Sequence, residues 1–106
     1  MARWTQTIQD QQHIAKVNEQ MPIGGIAVIT LLDGTRVEGV LRRMNAGNNA
    51  GRGGWSYYGE CEVEDKSRQR WVIDYLDIKS AERIWNENIA AEYEELGLIT
   101  IVRQPV

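Results

Sequence analysis

Residues 26–49 read IAVITLLDGTRVEGVLRRMNAGNN, and this stretch decides how the chain folds. Ala27, Ile29 and Leu31 alternate with Ile26, Val28, Thr30 and Leu32, and nearly all of them are aliphatic or β-branched. Such a run predicts a strand buried on much of both faces. Asp33-Gly34 follows. That pair is a strong hairpin signal, because glycine takes a positive φ at no steric cost. A second strand is predicted from Thr35 to Met44, with Gly39 in its middle. A glycine inside a strand marks a sharp bend or a bulge, where a sheet curls on itself. Two strands, a tight turn and a mid-strand bend predict the beginning of a small barrel.

Upstream, Thr5 to Gln20 is rich in glutamine and charge. Ile14, Val17 and Met21 fall at helical spacing, with Ile8 further back, and Pro22 stops the run. A short amphipathic helix is predicted there. Downstream, Asn45 to Gly54 is almost all Asn, Ala and Gly, the composition of a loop. The third strand, Trp55 to Glu64, alternates cleanly. Tyr57, Gly59, Cys61 and Val63 share an inward face, and Glu60, Glu62 and Glu64 share a wet one. Asp65-Lys66-Ser67 turns the chain into a fourth strand, Arg68 to Ile73. A tight hairpin there sets Glu64 opposite Arg68 and Glu62 opposite Arg70. Asp74 to Asp77 suits one turn of tight helix, and Ile78 to Trp85 a fifth strand. Asn86 or Asn88 then caps a helix through Leu96, with Trp85, Ile89, Tyr93 and Leu96 on one stripe and Gly97 as its stop. Leu98 to Val102 reads as a last short strand.

Composition narrows the classes. At 106 residues the chain holds one domain: a leading helix at 1–22, the barrel at 23–85 and a C-terminal extension at 86–106. Four Trp and four Tyr supply all the aromatic bulk, since Phe is absent. A core of this size is marginal alone, which points towards self-association. No long apolar run predicts a membrane span, and the first residues lack the apolar core of a secretory signal. A single cysteine cannot form an internal disulfide, so a reducing compartment, the cytoplasm, is expected. The formal net charge of -3 argues against a broad nucleic-acid footprint but leaves room for a local basic site.

Five strands, a leading helix and a one-turn break before strand five are the plan of the SH3-like small barrels. Within them the chain resembles the Sm-like family, relatives of the RNA-binding rings of splicing and RNA decay. The resemblance covers the middle half of the chain. Ala27, Ile29 and Leu31 lead into Asp33-Gly34, with Gly39 and Leu41 at the offsets of the first Sm signature. The family then places an Asp and, four residues later, an Asn that hold a base between subunits. Here Asn45 and Asn49 stand at those places, so the Asn matches and the Asp is an amide. The second signature, Ile-Arg-Gly, has its counterpart in Ile73-Asp74-Tyr75. Asp74 stands where the family has Arg, and a carboxylate beside a phosphate-rich strand is repulsive. The fold expected is therefore mainly β: a five-stranded, strongly bent antiparallel Sm-like barrel with an N-terminal helix and a C-terminal helix-strand extension.

Two functions are implied, in different classes. The first is an oligomeric module that binds single-stranded RNA or nucleotides between subunits. Asn45, Asn48 and Asn49 would read a base edge, since amides both donate and accept. Arg42, Arg43 and Arg52, close in sequence to Trp55, Tyr57 and Tyr58, would meet phosphates beside stacking rings. The second is a protein-interaction or scaffold homo-oligomer of the same fold without RNA. Sm-like rings form by pairing the open edges of neighbouring subunits. Ile78, Ile84, Trp85, Leu98, Thr100 and Val102 are the candidate interface residues. No residue set points to an enzyme, a metal or a cofactor. His13 stands alone at no ligand spacing, Cys61 alternates inward, and no nucleophile has a base near it in sequence.

Overall fold

The structure is a computed structural model that describes residues 3–22, 24–48 and 56–101. Helix α1 (Ile8–Gln20) leads into strands β1 (Ile26–Leu31), β2 (Arg36–Asn48), β3 (Tyr57–Glu64) and β4 (Arg70–Asp74). A 3-10 turn (Tyr75–Asp77) then precedes strand β5 (Ile78–Arg83) and helix α2 (Glu87–Glu95). The five strands form one antiparallel sheet in the order β4-β3-β2-β1-β5. β4 and β5 end that order, so the sheet curls without closing.

α1 begins where Thr7 Oγ1 accepts the Asp10 N–H at 3.1 Å, and Asp10 lies in the first turn, where negative charge suits the helix dipole. Ile14, Val17 and Met21 are buried, whereas Ile8 projects into solvent at 67% exposure. β1 is buried on both faces, as its unbroken aliphatic run predicts. Ala27 and Ile29 join Val37, Leu41, Cys61, Val63, Ile73, Tyr75 and Ile78 under α1. Ile26 instead joins Val40, Tyr93 and Leu98 under α2. Fully burying one such isoleucine contributes roughly 1.5–3 kcal/mol.

Between β1 and β2, Gly34 takes φ +91°, and Asp33 Oδ1 accepts the Thr35 N–H at 2.8 Å. β2 is the long strand, pairing with β1 through Arg36–Val40 and with β3 from Val40 onward. Gly39 is where the two meet. A Cβ there would collide with the Glu64 carbonyl oxygen and lie 2.7 Å from Val63 Cγ1. The register to β3 then slips between Leu41 and Arg43, a bulge that sharpens the turn of the sheet.

Besides β2, which runs on to Asn48 where the sequence predicts a loop from Asn45, two elements differ from the sequence reading. The β3–β4 register places Glu64 opposite Arg70 and Glu62 opposite Val72, two residues away from a tight hairpin. Asp65 causes the shift. Its Oδ1 accepts the N–H groups of Ser67 (2.8 Å) and Gln69 (3.0 Å), and its Oδ2 accepts Trp71 Nε1–H at 2.9 Å. Arg68 meanwhile takes a left-handed φ of +66°. Secondly, Leu98 to Ile101 form no strand, and Val102 lies outside the described residues. Gly97 (φ +76°) ends α2 with the Leu98 N–H on the Tyr93 carbonyl and the Gly97 N–H on the Glu94 carbonyl, each at 3.0 Å. The Leu98 carbonyl then accepts from Arg42 at 2.7 Å, and the Ile101 N–H donates to Glu94 Oε2 at 3.3 Å. Side chains and the helix end occupy the backbone groups that a ladder would need.

Candidate functional site

The bulge at Arg42 decides which face each β2 side chain takes. Residues directly opposite across a ladder share a face. Met44, Ala46 and Asn48 lie opposite Cys61, Gly59 and Tyr57, on the α1 side of the sheet. Arg43 and Asn45 lie opposite Glu62 and Glu60, on the outer side. Asn45 and Asn48 are therefore on opposite faces and form no common pocket. Asn49 and Arg52 lie outside the described residues. The Asn45 carboxamide oxygen stands 3.5 Å from the Tyr58 hydroxyl, too long for a good hydrogen bond. Asn48 lines an open groove of about 280 Å3 with Ile14, Ala15, Asn18, Tyr57 and Tyr58.

On the outer face the arginines meet acids. Arg42 donates to Glu64 Oε1 from Nε at 2.9 Å and from a second guanidinium nitrogen at 2.7 Å. Glu64 is only 8% exposed. Arg43 lies 3.8 Å from Glu60 and 3.7 Å from Glu62. Arg70 reaches Glu62 at 2.7 Å and Glu64 at 3.9 Å. The Arg70 hydrogen bond is the main reason the Glu62 carboxyl is held below its usual range. The basic patch inferred from Arg42 and Arg43 is thus a ladder in which both signs alternate. Its phosphate affinity is reduced accordingly, since each phosphate must displace a resident carboxylate.

Asp74, where the family has Arg, serves the fold. Its Oδ1 accepts the Leu76 N–H at 2.9 Å and so starts the 3-10 turn. Its Oδ2 accepts the Arg3 backbone N–H at 2.9 Å and Nε at 3.1 Å, while Arg3 also reaches Asp77 at 2.7 Å. The sequence gives no sign of this role for Arg3, because one arginine before a helix carries no periodic signal. It belongs to an N-terminal strap. The Thr5 N–H bonds the Tyr57 carbonyl and Thr5 Oγ1 accepts the Tyr57 N–H, both at 2.8 Å. The Trp4 ring packs edge-on against Tyr58 at 4.9 Å.

The strap covers the part of β3 beyond β4, which leaves two strand edges to consider. On β5, the outward Ala81 N–H donates to Gln20 Oε1 at 3.2 Å. On β4, the Asp65 N–H bonds the Gln69 carbonyl at 2.9 Å. Antiparallel alternation then makes Val63–Trp71 and Cys61–Ile73 the hydrogen-bonded pairs. The N–H and C=O groups of Arg70 and Val72 therefore point away from the sheet, and no side chain among the described residues caps them. The Val72 side chain is 59% exposed.

The six candidate interface residues divide differently. Ile78 (0% exposed) and Leu98 (3%) are core residues of their own subunit, so their side chains offer nothing to a second copy. Ile84 is half-buried against the α2 core, Trp85 and Thr100 are exposed, and Val102 lies outside the described residues.

The remaining chemical groups serve the interior. His13 is half-buried, and its Nε2 lies 3.1 Å from the Tyr75 carbonyl, which can only accept, so that nitrogen carries a proton. Burial pushes the Cys61 thiol up to about 12, unlike the lowered values of reactive cysteines. The Tyr75 hydroxyl is buried without a hydrogen-bond partner, and burial pushes it too up to about 12. Among the described residues no cluster of His, Cys, Asp or Glu is arranged to hold a metal ion, and no helix is long and apolar enough to cross a membrane.

No protein-family model and no curated protein matches the chain. Among solved structures it is similar to a Xanthomonas campestris protein described as adopting a novel variant of the Sm-like motif. The likeness has 13% identity, spans 79% of this chain and 95% of that one, and gives a TM-score of 0.48. This chain resembles the Sm-like fold. Its own features carry that resemblance: the strand order, the Asp33-Gly34 turn, the Gly39 bend and the 3-10 turn before β5.

Proposed function

We propose that this chain is a protein-interaction module of Sm-like fold that assembles into a homo-oligomer by strand addition at the edge of β4. One observation carries the reading: no side chain among the described residues caps the outward backbone groups of Arg70 and Val72, and the Val72 side chain is exposed. An unpaired edge is a template for another strand. Each added backbone hydrogen bond contributes about 0.5–1.5 kcal/mol, so the ladder sets the register of the contact while apolar burial, Val72 included, adds to its strength. The acid-paired Arg42, Arg43 and Arg70 and the anchoring of Asp74 by Arg3 favour this reading over RNA binding. The experiment is light scattering on the purified chain over a dilution series. A mass above the monomer at tens of micromolar supports the proposal, and a monomer throughout overturns it.

RNA binding keeps one observation in its favour. Asn48 lies opposite Tyr57 on the α1 face and lines the same groove, and an amide beside an aromatic residue suits an unstacked base. Titration with uridine-rich and adenine-rich RNA at several salt concentrations tests it. Binding at low salt that Asn48→Ala weakens would support this reading, and no binding at low salt removes it.

A further inference from the structure

The chain already holds a short extended segment against one of its own strand edges. β4 pairs with β3 from Glu60 to Glu64, so Tyr57 lies beyond β4, on a stretch of edge that β4 does not reach. Residues 3–5 fill that stretch. The Tyr57 carbonyl accepts the Thr5 N–H and the Tyr57 N–H donates to Thr5 Oγ1, both at 2.8 Å. The Ser56 hydroxyl donates to the Thr5 carbonyl at 3.1 Å. Thr5 is only 2% exposed, although it is polar and belongs to no helix or strand. Trp4 stays half-exposed, its ring edge-on to Tyr58. Arg3 reaches a notch between Asp74 and Asp77, donating from Nε to the first at 3.1 Å and from a second guanidinium nitrogen to the other at 2.7 Å. The notch is preset, because the Leu76 N–H holds Oδ1 of Asp74 at 2.9 Å.

Backbone bonds to a strand edge, with separate places for successive side chains, are the plan of peptide recognition by strand addition. We propose that this edge of β3 is a recognition site for an extended segment of another protein, with an arginine, an aromatic residue and a serine or threonine in succession, and that residues 3–5 occupy it in cis. The proposal does not rest on assembly at β4, which uses other backbone groups. The chemistry of the partner is read from the three side chains now seated. Two carboxylates side by side select a guanidinium, whose several N–H groups reach both at once. Tyr58 offers its ring to an aromatic neighbour. The Tyr57 N–H takes a hydroxyl oxygen on a short side chain, which serine and threonine carry and alanine and valine lack. Of the three seated residues Thr5 alone is buried, so most of the segment's contact is at the surface and open to exchange. Tethering gives residues 3–5 an effective concentration in the millimolar range. A competitor must therefore extend beyond them or meet a chain whose own segment is weakened.

The test is fluorescence polarisation with a labelled, acetylated peptide of residues 2–7, Ala-Arg-Trp-Thr-Gln-Thr, added to the full chain. Arg3→Ala/Trp4→Ala removes two exposed side chains of the cis segment and leaves the receiving groups intact. It is expected to bind the peptide about threefold to thirtyfold more tightly than wild type. Arg3→Ala alone serves if the double variant loses its circular-dichroism signal. Adding Asp77→Asn to either background is expected to weaken binding by about twofold to fivefold, and so is alanine for arginine in the peptide. The mass by light scattering is expected to equal that of wild type. Wild type and the strap variants binding equally well, binding indifferent to both Asp77→Asn and the peptide's arginine, or no binding to a folded strap variant at millimolar peptide overturns the site. A strap variant that takes no peptide but changes in mass assigns the edge to residues 3–5 of a second copy and overturns the peptide partner.

Discussion

The two faces of the sheet are held in different ways. Under α1, twelve buried residues from α1, every strand and the 3-10 turn make one cluster, with Cys61 and Tyr75 deep inside it. Under α2, among the described residues, Ile26, Val40, Tyr93 and Leu98 are buried together. That smaller cluster is laced by polar bonds: Tyr93 hydroxyl to Glu38 (2.9 Å), Lys66 to Glu92 (2.8 Å), Arg68 to the Leu96 carbonyl (2.7 Å) and Arg42 to both Glu64 and Leu98. A large apolar area stabilises the first face without directional partners. The second has too little area, and its cover depends on hydrogen bonds placed at its rim.

Substitutions should separate the two faces. Ile29→Ala opens a cavity in the α1 core and is expected to destabilise the whole fold by about 3–4 kcal/mol, read by urea denaturation. Arg42→Ala leaves Glu64 buried with its closest cation gone and frees the Leu98 carbonyl. A loss of about 2–3 kcal/mol is expected, with hydrogen exchange rising first across α2. Tyr93→Phe keeps the ring and deletes the bond to Glu38, for about 1 kcal/mol. Equal losses for Tyr93→Phe and Ile29→Ala would erase the distinction.

The pH response should separate them as well. Glu62 and Asp65, on the outer face and its turn, titrate below their ordinary values, the first chiefly through Arg70 and the second chiefly through Trp71. Folding favours their charged forms. Their stabilisation is complete above the unfolded values of about 4, and is lost as the pH falls through the lower folded ones. Cys61 and Tyr75 behave in the opposite sense. Burial raises both to about 12, so the contribution of their neutral forms is present below the unfolded values of about 8.5 and 10 and is lost as the pH rises towards 12. Near-ultraviolet circular dichroism across the pH range should show the α1 core failing on the alkaline side. Exchange of the β3–β4 turn amides should show that turn loosening on the acid side.

Much of this architecture is legible in residues 26–49. An unbroken aliphatic strand needs apolar cover on both faces, and β1 has it. Gly39 announced a bend, and the Glu64 carbonyl lies where a side chain would have to go. The candidate site was less legible, for identifiable reasons. The Asn, Ala and Gly from Asn45 onward have the composition of a loop, yet β2 runs on to Asn48, and along a strand residues three apart, such as Asn45 and Asn48, take opposite faces. The Asp65 cap shifts the β3–β4 register by two residues through side-chain bonds that alternation does not encode. Arg3 with Asp74, and Arg42 with Leu98, join positions far apart in sequence, where no local spacing can reveal them.

The proposed assembling surface of this chain is the edge of β4. The mass of wild type and Val72→Pro, measured side by side by light scattering at tens of micromolar, tests it most directly. An oligomer is expected for wild type and a monomer for the variant. A wild-type chain that remains a monomer, or a variant that assembles as well as wild type, would contradict it.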